Sequence, residues 1–109
     1  MRGKNILKRW RGEKNLLSKI PIKLDQIKKE NLNKQILRAG IIAELDAINL
    51  YEQMAALTDN ENIRRILLDI AKEEKTHVGE FQTLLLASDE EQGKELEAGK
   101  KEVEDELSS

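Results

Sequence analysis

Between Ile36 and Leu85 the apolar residues recur three and four positions apart, the spacing of amphipathic helices. Ile36, Leu37, Ile41, Leu45, Ile48 and Ala55 predict a first helix over about residues 31–57. The Ile20-Pro21 pair marks a break in the chain before it. Thr58-Asp59-Asn60-Glu61 interrupts the pattern and offers a capping box, Thr58 with Glu61 three residues on. A second helix then runs to about Ala87, with Ile63, Ile66, Leu67, Ile70, Phe81, Leu84 and Leu85 as its apolar face. Ser88-Asp89 reads as its stop and as the cap of a weaker third helix. A short connection makes the first two helices antiparallel neighbours, an αα-hairpin.

A hairpin of roughly 55 residues is too small to bury a stable core alone. Both helices carry apolar stripes that need a partner, and the third segment is too polar to cover them. Two copies packed as a four-helix bundle are the simplest solution. The expected fold is therefore all-α: a two-helix hairpin plus a short C-terminal helix, dimerising into a bundle. The expected divisions are an N-terminal arm over 1–22, the hairpin over 23–88 and an acidic short helix or tail over 89–109.

Composition sharpens this picture. The 109 residues include one His and no Cys, and aromatics make up 3%. Cys-ligated zinc, iron–sulfur clusters and thiol nucleophiles are excluded. So is any site that needs two histidines from one chain. No apolar run reaches the ~18 residues of a membrane span, and no secretory signal is recognisable, so a cytoplasmic protein is expected. The net charge of −2 hides an asymmetry. Residues 1–34 carry +8 and residues 35–109 carry −10. The stretch from Met1 to Arg11 reads as a mobile basic arm, with Trp10 between Arg9 and Arg11.

The candidate chemistry lies where charge interrupts the apolar seams. At ~100° per residue, Leu37, Gly40, Ile48, Tyr51 and Ala55 all fall within about 40° of Glu44. Glu44 is thus central to the first stripe. On the second helix Ile63, Ile66, Ile70, Phe81 and Leu84 fall within about 40° of His77, flanked by Glu73 and Glu74. A carboxylate in such a seam must be protonated, paired or metal-bound. No Lys or Arg shares either seam near Glu44 or His77. Glu74-x-x-His77 places a carboxylate and an imidazole one turn apart, a spacing that chelates one ion. Di-iron carboxylate bundles use one Glu from each of two helices and Glu-x-x-His from each of the other two. One hairpin supplies half of that plan. A two-fold dimer would supply four Glu and two His, balancing two divalent ions. Oxygen-rich ligands with one imidazole per ion suit Fe²⁺ or Mn²⁺ better than zinc.

The segments Ala43-Glu44-Leu45-Asp46-Ala47-Ile48-Asn49-Leu50-Tyr51-Glu52-Gln53-Met54 and Glu73-Glu74-Lys75-Thr76-His77-Val78-Gly79-Glu80-Phe81 resemble the encapsulated ferritins. These are two-helix members of the ferritin-like superfamily, and the archaeal type fused to an encapsulin shell protein is the most similar. The resemblance covers about residues 32–90. It implies a ferritin-like bundle and a ferroxidase centre at a subunit interface, with Glu44, Glu74 and His77 as ligands and Tyr51 beside them. It implies Asp46 at an iron-entrance site, although Asp46 lies about 200° around the helix from Glu44. It also implies dimers assembling into a decamer, held with an encapsulin shell protein inside a nanocompartment, with neither nucleic acid nor membrane as partner. Ala43 stands where the family often has an acidic residue. Glu106-Leu107-Ser108-Ser109 does not match the family's short docking peptide, which leaves three expectations open: a different encapsulation signal, a fusion to shell, or no encapsulation.

The expected activity is oxidation of Fe²⁺ to Fe³⁺ at a di-iron site shared by two chains. Two alternatives stand beside it. One is a rubrerythrin-like peroxide-reducing di-iron protein, which without Cys needs a separate electron donor. The other is a non-enzymatic helical oligomer whose basic arm binds an anionic partner.

Overall fold

The computed structural model describes residues 28–109. The basic arm and the Ile20-Pro21 break lie outside the described residues. Those described form three helices: α1 over Lys29–Leu57, α2 over Glu61–Ser88 and α3 over Glu90–Leu107. No strand occurs among them. None of these helices is long and apolar enough to cross a membrane.

The turn between α1 and α2 spans only Thr58, Asp59 and Asn60, so α2 must fold back along α1. The expected capping box does not form. Asn60 is the cap, and its side-chain oxygen accepts from the Ile63 amide at 3.0 Å. Thr58 lies too early for that role and instead accepts from the Asn60 amide at 3.1 Å. Glu61 turns to the Arg64 guanidinium at 2.7 Å. Arg64 also closes the carbonyl end of α1, donating from Nε to the Ala55 carbonyl at 3.1 Å and from Nη2 to that of Thr58. A cation at a helix C-terminus satisfies orphan carbonyls and opposes the negative end of the dipole.

The hairpin is held at its centre by small side chains. Ala47, Ala55 and Ala71 are each no more than 3% exposed, and Ile48 and Leu85 complete the core. Several residues of the apolar stripes remain outside that core: Ile36, Leu45, Ile63, Ile66 and Leu84 are exposed. Two helices have only one contact line between them, so a wide stripe keeps a bare flank.

The polar distal segment forms a full 18-residue helix and not a tail. Asp89 starts it, accepting from the Gln92 amide at 3.1 Å. Lys94–Glu90 and Lys101–Asp105 pairs support it at i,i+4 spacing. Asp89 is itself buried and bound to Arg38 of α1 at 2.5 Å. The Gln92 amide first, then the positive charges of Lys34 and Arg38, hold its carboxyl below the usual value against the opposing effect of burial. One carboxylate thus caps α3 and ties the α2–α3 corner to α1.

Candidate metal centre

Three ionisable side chains converge where the two seams meet. Glu44 comes from the middle of α1, and Glu74 and His77 come from adjacent turns of α2. Ligating atoms of all three lie within 4.8 Å of one another. His77 Nδ1 stands 2.7 Å from Glu44 Oε2 and 3.0 Å from Glu74 Oε1. The sequence placed these residues on facing stripes. The structure adds that one chain alone brings them together.

Their electrostatics are those of a group that shares protons. Burial pushes the Glu74 carboxyl up, and the hydrogen bond and negative charge of Glu44 push it further, while His77 pulls it down. Burial would lower His77, but the hydrogen bond to Glu44 and the charges of Glu74, Glu44 and Glu80 together raise it. Two carboxylates cannot lie this close while both ionised unless positive charge stands between them. A proton or a cation supplies it. The donor set, two carboxylates and one imidazole, fits a divalent ion of the Fe²⁺ or Mn²⁺ kind.

Tyr51 belongs to the same environment. Burial first, then the negative charges of Glu74 and Glu44, hold its phenol above the usual value. Asp46 does not join the group of three; it is buried, 6% exposed, elsewhere on α1. Lys75 sits two residues from His77 but pairs with Glu52 of α1 at 3.2 Å, so it does not neutralise the cluster.

The two carboxylates are mostly shielded, with side-chain exposures of 16% for Glu44 and 15% for Glu74, whereas His77 is 44% exposed. His77 shares its line on α2 with Ile63, Ile66 and Leu84, exposed by 50%, 60% and 57%. The cluster therefore opens onto an uncovered apolar strip.

Comparisons with known proteins bear on the family of the chain. Residues 35–108 match the Rubrerythrin family profile. The crystal structure of the encapsulated ferritin domain from Pyrococcus furiosus superposes with a TM-score of 0.70 at 55% identity, covering 82% of this chain and 93% of that one. The chain is an encapsulated-ferritin-type member of the rubrerythrin family. It is 63% identical over 71 residues to the ferritin-like–encapsulin shell fusion protein of Pyrococcus furiosus, covering 65% of this chain. It is 45% identical over 56 residues to the encapsulin nanocompartment cargo protein EncC of Myxococcus xanthus, covering 51% of this chain. The encapsulated-ferritin-type chain spans 21% and 43% of the lengths of those two relatives.

The raised His77 value makes one expectation for chelator-treated protein. A raised value means that the folded state holds the proton more tightly than the unfolded state. The stabilising contribution is complete below pH 6.5, the ordinary value for His, and is lost as pH rises through the folded value. Melting temperature, followed by circular dichroism without metal, should fall as pH climbs above 6.5. The His77→Ala variant should show a flatter profile across that window. An equally steep fall in the variant would assign the titration to other groups.

Proposed function

We propose that this chain is a ferroxidase that takes Fe²⁺ as substrate at a site completed by a second copy of itself. The observation that carries the reading is the convergence of Glu44, Glu74 and His77 at the edge of an uncovered apolar strip. A ligand group so placed is extended by whatever covers the strip. A two-fold partner covers it with the same strip and brings a second ligand group opposite the first. The pair then holds four carboxylates and two imidazoles for two Fe²⁺ ions.

The reaction balances with O₂ as oxidant. Two Fe²⁺ each give up one electron, and O₂ with two protons becomes hydrogen peroxide. Glu44, Glu74 and His77 hold the ions close together. Burial of the carboxylates keeps bulk water from their charges and strengthens their hold on the cation. Tyr51, half-buried near Glu44 and Glu74, orients a carboxylate through its phenol. The match to the rubrerythrin family supports peroxide as a second oxidant at the same site.

The likeness to a shell-fused ferritin and to an encapsulin cargo protein supports an encapsulin shell as partner, with the oxidised iron stored inside its compartment. A hairpin encloses no mineral cavity of its own, so storage falls to the shell. Assembly into a decamer and an iron-entrance role for Asp46 are parts of the same proposal, drawn from the family pattern.

Anaerobic Fe²⁺ titration combined with sedimentation tests the reading. One Fe²⁺ per chain is expected, with the metal shifting the population to dimers or larger assemblies. Iron-free monomers at millimolar Fe²⁺ would overturn it.

A further inference from the structure

Gly40 occupies the middle of α1 on the same stripe as Glu44, four residues before it. A glycine there weakens the helix relative to alanine. The structure supplies a reason to keep it. A methyl group at Gly40 would lie 3.0 Å from Phe81 Cε1 and 3.1 Å from Cδ1 and Cζ. The ring therefore lies directly against the α1 backbone, in space that any other side chain would fill. Phe81 is four residues after His77, so this contact is one helical turn from the 2.7 Å Glu44–His77 bond.

We infer that Gly40 and Phe81 form a spacing contact that sets the separation of α1 and α2 at the metal centre. Helix separation depends on the side chains at the point of contact. Glu44 reaches His77 and Glu74 because the neighbouring turn lets the two helices come close. Neither residue holds the cation; both are positioning residues for the ones that do. The inference rests on the proposed metal-binding role of Glu44, Glu74 and His77.

The test uses Mn²⁺ binding by calorimetry on the full chain, with melting temperature measured alongside. Gly40→Ala should remain folded, its metal-free melting temperature set by the helix preference of alanine against crowding of the Phe81 ring, and bind Mn²⁺ about tenfold more weakly, the usual cost of losing a residue that orients a ligand. Phe81→Leu in the Gly40→Ala background removes the ring that the new methyl meets and should restore most of the affinity. A contact that served stability alone would move the melting temperature and leave affinity untouched. Wild-type affinity in Gly40→Ala would overturn the inference. So would a weakened Gly40→Ala that Phe81→Leu fails to rescue. Wild-type protein that binds no Mn²⁺ would instead defeat the proposed function, which keeps the two failures apart.

Discussion

Glu74→Ala and His77→Ala are each expected to lower the rate of aerobic Fe²⁺ oxidation by more than about 100-fold. Removing a residue that merely orients a ligand typically costs about 10–100-fold in metal affinity or activity, and these two are assigned as ligands themselves. The geometry shows why neither loss can be made up locally. Both carboxylates approach a single imidazole nitrogen, at 2.7 Å and 3.0 Å, and the chain has no second His to replace it. Lys75, the nearest basic neighbour along α2, is engaged by Glu52. A second readout needs no turnover. Mn²⁺ at 100 times its dissociation constant should stabilise the wild type by about 2.7 kcal/mol. For a chain of this size that is on the order of 10–20 °C in melting temperature. Both variants should lose that shift, while Glu95→Ala on exposed α3 should keep the shift and the rate. Oxidation at the wild-type rate in both ligand variants would place the chemistry elsewhere in the molecule. Tyr51→Phe should lose less than either, since the phenol neighbours the carboxylates without holding the ion.

Much of this site was legible in the sequence because it rests on periodicity. A helix has a fixed angular step, so spacing alone puts Glu44 in one stripe and Glu74-x-x-His77 in the other on facing seams. What periodicity leaves open is the register between the helices and their separation. The structure sets register through the three-residue turn, where Asn60 starts α2 and Arg64 clamps the end of α1. Asn60 and Thr58 both cap well in isolation, and the choice depends on where the chain reverses. Separation is set by the core alanines and by Phe81 over Gly40. A glycine in a seam is visible in sequence, but the ring across from it is not. The α3 helix starts at Asp89, where the sequence puts its cap. Its polarity leaves a tail as the alternative, yet a capped helix can be polar all round when charge pairs support it. The Arg38–Asp89 tie joins positions 51 residues apart, beyond any local pattern.

The apolar stripes were also longer than the hairpin's core, and that excess bears on the second large prediction. Ile66→Asp should give a folded monomer with little ferroxidase activity, although Glu44, Glu74 and His77 are unchanged. Ile66 is already 60% exposed in the single chain, so a carboxylate there stays hydrated and leaves the hairpin's own packing almost untouched. In the proposed dimer the same position lies on the line of His77, about three turns along α2, in the seam that the second copy covers. An unpaired charge taken out of water there costs several kcal/mol. An isologous interface counts that cost twice, once for each copy. Since ~1.4 kcal/mol is a factor of ten, the dimer should weaken by at least about 1,000-fold. Light scattering after size-exclusion chromatography should report one chain per particle, with helical circular dichroism retained. Iron oxidation should then fall to the level of the ligand variants, because each remaining cluster holds only half of the donors that two irons need. Leu84, 57% exposed on the same line, offers an independent position, and Leu84→Asp should behave alike. A monomer with full activity would show that the three ligands of one chain suffice. A dimer with full activity would show that the partner sits on another face. Either result would separate the metal site from the apolar strip and remove the reason for a shared centre.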